Sequence, residues 1–490
     1  MQDMEKNDSS HSRIEDIRVK FSEDHGIPST NLEAEASLRK KFDKRVLPLA
    51  ILIYLMAFID RTNMGNARIL GMQEDLKLVG YRFNIALTAF FVTYVLFEIP
   101  ANILCKKFGP RYWLSFLTFG FGLITMCIAF TQSFQALIVT RVLLGVFEAG
   151  ILPGIIFTFS KFYRRYEITF RVGVMASFAS LSGSFGGLLA TGLSKIPSSS
   201  HLDSWRYIFL FEGIITMAVG ALVLALMPND PSSASFLTTE ERIIGADRIA
   251  AEAMTKGYEH MTLRVFKRAL INLNTQLIAL GICCSLLAMN SVALFMPTLL
   301  RGMGYSSIRS QLLTVPPYAI GTIVCIVAAY ISDRLRTRGP VLLVIAPCIV
   351  VGFVLLSAVQ TVGVKYFAIC LATLGAFTSS PILLAWSVDN AAGPAVRAIV
   401  SAYCVGLGSV GAIVSTWTYL PKDAPRYLQG HLVNLGFGCM LFALVTILTF
   451  YLRWENRQRA NGRRDWRLEN ASEEEVNQLG HSHPAFRYTP

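Results

Sequence analysis

A chain of 490 residues with 53% hydrophobic and only 16% charged side chains is too apolar for an ordinary soluble protein of that size. Its formal net charge of +12 would suit a nucleic-acid binder. The placement of the basic residues beside apolar segments fits a membrane protein better, so no nucleic-acid partner is expected.

Residues 1–45 are polar and charged, which argues against a cleavable signal peptide and predicts a disordered tail. Twelve apolar runs follow, each near the roughly 20 residues that cross ~30 Å of hydrocarbon. They fall near 46–66, 83–104, 112–131, 135–160, 172–194, 207–227, 275–299, 310–331, 341–360, 365–388, 397–418 and 431–452. The longest internal connection, 228–274, opens PNDPSS. TTEER then predicts an amphipathic helix capped by Thr238 or Thr239. Residues 454–490 form a second tail, of which 456–490 read as disordered. The expected organisation is all-α, with six-helix bundles at 46–227 and 275–453 joined by a middle loop at 228–274. Basic clusters precede the first run (Arg39, Lys40, Lys41, Lys44, Arg45) and follow the last (Arg453, Arg457, Arg459, Arg463, Arg464). The positive-inside rule makes both ends cytoplasmic.

All nine cysteines lie within or at the end of these runs, so no structural disulfide is expected. No Cys/His cluster has metal spacing. No nucleophile–base arrangement or phosphate loop appears, so neither an enzyme nor a cofactor is expected. GLGSVG, Gly406–Gly411, has dinucleotide-loop spacing, but it lies inside an apolar run and reads as close helix packing.

The two halves retain traces of each other. KKFGPR (Lys106–Arg111) follows the second run and SDRLRTRGP (Ser332–Pro340) the eighth. LGVF (Leu144–Phe147) matches LGAF (Leu374–Phe377). Runs five and eleven both begin after an arginine and are glycine-rich. This is the pattern of a duplicated transporter.

SDRLRTRGP resembles the cytoplasmic loop signature of the major facilitator superfamily, and Arg141-x-x-x-Gly145 its fourth-helix signature. DRTNMGNAR (60–68), FEIPAN (97–102), RVLLGVFEAGILPG (141–154), WRYIFLFEG (205–213) and the PNDPSS–LTTEER loop resemble the fungal anion:cation symporter family. That is the allantoate permease group, which includes nicotinate, pantothenate and biotin carriers. GNARILGMQEDL (65–76) leans toward its nicotinic acid branch. The resemblance spans about 46–450. It implies the major facilitator fold, two pseudo-symmetric bundles and a cavity between helices one, four, seven and ten. It also implies a loop latch, here Lys106, Lys107 and Arg111 in one half and Asp333, Arg334 and Arg338 in the other. One departure matters: the family usually has an Asp near Lys106. Glu98 or Glu148 is the expected substitute partner.

An ionisable group in hydrocarbon is costly and marks a functional candidate. Asp60, Arg61, Glu98, Arg141, Glu148 and Glu212 all fall in the first half. That asymmetry assigns cation coupling to the first half and the substrate pocket mainly to the second. Asp60 lies 14 residues past Val46, about 21 Å across at 1.5 Å per residue. Proton coupling is expected at Asp60, Glu212, Glu148 and Glu98. Arg141 is expected to bind an anionic substrate, with Arg61 turned outward or toward Glu212. Asn63, Asn290, Thr378 and Ser379 are candidate polar contacts, and Phe377 and Trp386 candidate stacking surfaces. The alternatives are fixed ion pairs and ordinary helix packing.

The leading expectation is a monomeric plasma-membrane symporter that imports a small organic anion with a proton. The rivals are an exporter and a non-transporting nutrient sensor. Drug antiporters of this superfamily carry Gly-Pro in helix five, where this chain has Ser182-Gly183, which favours uptake.

Overall fold

The computed structural model describes residues 32–194, 196, 203–254, 263–392, 394–468 and 480–490. Among these the protein is helical, with no strand. All twelve expected runs are helices: Leu47–Ala67, Arg82–Phe108, Pro110–Ile128, Phe134–Phe162, Arg165–Leu193, Ser204–Leu226, Leu273–Gly302, Ser307–Leu335, Gly339–Ala358, Val362–Asp389, Pro394–Ser415 and Leu428–Ala460. They are spans 1 to 12 below. Ten are long and apolar enough to cross a membrane. Span 1 is interrupted by Asp60 and Arg61, and the apolar part of span 11, Ile399–Ser415, is shorter.

Lipid offers little hydrophobic drive between helices, so small residues and close backbone approach dominate packing. Gly122, Gly213 and Gly220 bring spans 3 and 6 together; a Cβ at Gly220 would lie 2.7 Å from the Phe119 nitrogen. Gly411 packs on the Cys283 carbonyl and Gly408 on Ile282 and Leu286 of span 7, as the helix-packing reading expects, whereas Gly406 faces open space.

Each half has its own hydrophobic cluster. The first also takes in Leu294, Phe295, Leu299, Tyr419 and Tyr427 from the second half. These lie at the ends of the spans farthest from residues 32–45. That end is called outer here, and the end nearer 32–45 and 454–468 is called inner. The halves meet on the outer side. Asn84 donates to the Thr416 carbonyl at 2.6 Å, Trp417 to Thr88 at 2.9 Å and Ser307 to the Ile69 carbonyl at 2.9 Å. Gly65 lies against the Leu294 carbonyl. Ser180 and Ser184 bond span 8 carbonyls at 2.9 and 3.2 Å. The molecule is therefore closed on its outer side.

The described parts of both tails depart from the disorder expected of them. Leu32–Arg45 is a helix whose Leu38 and Phe42 are buried against the first half. Its polar face enters an ion network that no local signal announces. Glu35 pairs with Arg164 at 2.8 Å, Asp43 with Arg171 at 2.7 Å, and Lys41 with Glu241 at 2.6 Å. Glu241 lies on the middle-loop helix Thr239–Met254. Arg248 of that helix bonds Glu167. Thr238 caps it through a reciprocal pair with Glu241. At the other end span 12 runs on to Ala460, and residues 480–490 lie across the inner ends of spans 10 and 12. Residues 1–31 and 469–479 fall outside the described residues.

Candidate functional site

Span 1 places five polar side chains, Asp60, Arg61, Thr62, Asn63 and Asn66, in two turns. Asp60 and Arg61 are 100° apart on the helix, so they serve different neighbours. Asp60 accepts from Arg141 Nη1 at 3.2 Å and from Thr125 Oγ1 at 3.0 Å. It is 1% exposed and Arg141 2%. Arg61 bends back toward the amino-terminal end of its helix, the usual lean of helical side chains. There its Nε donates to Glu148 Oε1 at 2.7 Å. Its guanidinium lies 4.9, 5.4 and 5.0 Å from the ring centroids of Phe58, Phe90 and Tyr94. Arg141 and Glu148 are two turns apart on span 4, so spans 1 and 4 are joined by two ion-pair rungs.

Glu212 completes the cluster from span 6. Its Oε2 accepts from Asn63 Nδ2 at 2.8 Å, and Asn66 donates to Asn63 at 3.1 Å. Glu212 Oε1 is buried with no partner among the described residues, and the same holds for Glu148 Oε2. Three carboxylates (Asp60, Glu148, Glu212) thus face two guanidiniums (Arg61, Arg141).

A cavity of about 120 Å³ lies between the halves. This is well below the roughly 300–1,000 Å³ of sites for drug-sized ligands. Tyr54, Phe58, Arg61, Tyr94 and Glu148 form its wall from the first half, and Asn290, Phe377, Ser380 and Pro381 from the second. Arg61 and Glu148 are the charged members of that wall.

The candidate residues divide accordingly. Glu148, Asn290 and Phe377 reach the cavity; Arg141 does not, because Asp60 holds it behind span 1. The guanidinium on the wall is Arg61, turned neither outward nor toward Glu212. The signal for it was legible: Tyr54, Phe58 and Arg61 fall at i, i+4 and i+7, one helical face. Asn63 serves Glu212 instead of the cavity. Thr378 and Ser379 point away from the wall, where Ser380 stands, and Ser379 returns its hydroxyl to the Gly375 carbonyl at 2.7 Å. Trp386 is buried at the inner end, its indole donating to the Thr489 carbonyl at 2.7 Å, so it does not stack in the cavity. Glu98 is half-buried and in no ion pair among the described residues.

The two latch loops also differ. In the second half Arg338 bonds Asp333 and reaches Asp389 of span 10 at 2.9 Å. Arg334 is exposed. In the first half Lys106 and Lys107 are exposed, and neither meets Glu98 or Glu148. Arg111 instead bonds the Leu224 carbonyl at 2.7 Å and Asn229 at 3.1 Å. This loop is thus tied to the end of span 6 and the residues just after it.

Comparison with known proteins agrees with this architecture. An uncharacterized transporter of Schizosaccharomyces pombe is 34% identical over 88% of this chain and 85% of its own. The high-affinity nicotinic acid transporter of Saccharomyces cerevisiae is 30% identical over 90% of this chain and 82% of its own. Among solved structures, a D-xylose–proton symporter matches with a TM-score of 0.63 at 14% identity, covering 82% of this chain and 96% of that one, a likeness of fold. The Major Facilitator Superfamily family model matches residues 50–416. With twelve helices in two packed halves, a cavity between them and transporters as its relatives, the chain belongs to the major facilitator superfamily and is a multi-pass membrane transporter.

Proposed function

We propose that this transporter takes up a small organic anion, a flat carboxylate of the nicotinate kind, together with a proton. The observation that carries the reading is the Arg61–Glu148 pair on the wall of a small, mostly apolar cavity. A guanidinium fork matches a carboxylate. Phe58, Tyr94 and Phe377 flank the space with ring surface. A relative named for nicotinic acid supports the substrate class.

Coupling follows from charge. A substrate carboxylate that takes Arg61 displaces Glu148. An isolated carboxylate left in that surrounding costs several kcal/mol. Accepting a proton removes the cost, so anion and proton enter together and the wall stays neutral. Glu212, which among the described residues has an amide and no cation for a hydrogen-bond partner, is the second carboxyl suited to hold a proton. With basic flanks cytoplasmic and the plasma membrane as the site, the proton gradient drives uptake.

The test is uptake of labelled nicotinate and a panel of carboxylates at several external pH values. Accumulation should rise as the outside is acidified and should vanish in Arg61→Ala present at the membrane in normal amount. Uptake that ignores external pH, or persists in Arg61→Ala, overturns the reading. Loss of efflux alone in a deletion strain would identify an exporter instead.

A further inference from the structure

The outer mouth holds a second cavity, about 330 Å³, that the central site leaves unused. It lies between the outer ends of spans 1 and 7. Arg68, Gln73 and Glu74 reach its wall from the first half; Thr298, Arg301 and Tyr427 reach it from the second. Arg68 stands at the carboxyl-terminal end of span 1, just before a kink at Gly71, whose φ is +112°.

Arg68 is 6% exposed. Its Nε donates to Gln73 at 2.7 Å, and its guanidinium lies 4.4 Å from the centre of the Phe83 ring. Its Nη1 is buried without a partner among the described residues. Thr298 Oγ1 is likewise buried and unpartnered. Arg301 is exposed on the same wall and spends one donor on the Ile69 carbonyl at 3.2 Å. Glu74 is exposed at the rim and pairs with neither arginine. A buried guanidinium in no ion pair among the described residues is costly, and Glu74 at the rim does not bond it. The unpartnered Arg68 Nη1 can donate to a carboxylate or another oxyanion. The site is separate from the central one: Arg61 and Arg68 are seven residues apart, about 10 Å along the helix.

We propose that this vestibule binds a small carboxylate or oxyanion between Arg68 of one half and Arg301 and Thr298 of the other, and that its occupant clamps the outer gate shut. The donors converge only while the halves are together on that side. An anion that bonds both therefore favours the outer-closed conformation over the open one. High external anion should then slow the reopening that each uptake cycle needs.

The test uses the full chain purified into lipid nanodiscs, with nicotinate and inorganic phosphate titrated separately by calorimetry. The background is Arg61→Gln, which removes the central anion contact. Binding should survive in that background and weaken about tenfold or more in Arg68→Gln and Arg301→Gln, the loss expected for a charged hydrogen bond. Nicotinate binding alone assigns a carboxylate occupant, and phosphate binding alone an inorganic oxyanion. Arg301 is exposed, so its variant tests the site even if Arg68→Gln misfolds. Absence of binding by both probes in Arg61→Gln overturns the proposal, as does binding that Arg301→Gln leaves unchanged. Either result stands apart from the uptake phenotype of Arg61→Ala, which bears on the central site alone.

Discussion

Asp60 and Arg61 are adjacent in the chain, yet they are not each other's partner: Asp60 bonds Arg141 at 3.2 Å behind span 1, and Arg61 bonds Glu148 on the cavity wall. The helix rotation between neighbours sends Asp60 to a fully buried rung and Arg61 to the cavity wall. Arg61→Lys should keep the charge but lose the fork, and lower uptake at least about tenfold through a higher KM. Glu148→Gln should leave carboxylate binding in place and flatten the pH dependence of uptake. Initial rates of labelled uptake across external pH check both. A Glu148→Gln variant with the original pH profile would move the proton elsewhere, with Glu212 next in line.

The Asp60–Arg141 rung should behave as structure. Arg141→Ala leaves Asp60 buried with only Thr125 for a partner. Removing one partner of a buried pair costs about 3–5 kcal/mol. Thermal unfolding in detergent should show that loss. The double variant Asp60→Asn/Arg141→Gln should recover most of it, because no uncompensated charge remains. Recovery of stability without recovery of uptake would give the pair a part in transport as well.

Much of this was legible in the sequence, for identifiable reasons. Hydrophobic length is set by membrane thickness, so all twelve helices were readable. The cluster Asp60, Arg61, Arg141, Glu148 and Glu212 was readable because charges in lipid are expensive. Which carboxylate meets which arginine was not, since that depends on helix rotation and on the long reach of Arg61. The helix Leu32–Arg45 was hidden because its stability comes from distant partners, Arg164, Arg171 and Glu241, not from local hydrophobicity. Trp386 looked like a stacking surface because its helix suggested the cavity; its Thr489 partner lies 103 residues away.

Gly65 sets the outer gate. A Cβ there would overlap the Leu294 carbonyl of span 7, and a backbone oxygen cannot swing aside as a side chain does. Gly65→Ala should therefore weaken outer closure without unfolding either half. A cysteine placed at Trp417, which now donates to Thr88 across the gate, reports on this. Its labelling by an impermeant maleimide should be several-fold faster in Gly65→Ala. Equal rates would show that the gate closes elsewhere.

Trp386→Phe separates the contact with residues 480–490 from the substrate site. The change deletes the indole donor to Thr489 and leaves a ring in the buried position. A net loss of about 1 kcal/mol in stability is expected. The KM for uptake should not move. A raised KM with unchanged stability would return Trp386 to the substrate path.

The pH response should come from the cavity and not from the inner helices. Glu241 lies outside the spans, and a hydrogen bond from Lys41, followed by one from the Thr238 amide, holds its carboxyl below the usual glutamate range despite partial burial. A depressed carboxyl contributes its stability in full above its unfolded value and loses it only as pH falls through the depressed one. Between about pH 5 and 8 the Glu241 carboxyl therefore does not titrate. Glu241→Gln should shift neither the midpoint nor the slope of the uptake–pH curve, whereas Glu148→Gln should flatten it. A flattened curve in Glu241→Gln would place the proton sensor in the inner helices, with docking of Thr239–Met254 on Leu32–Arg45 as the element that responds.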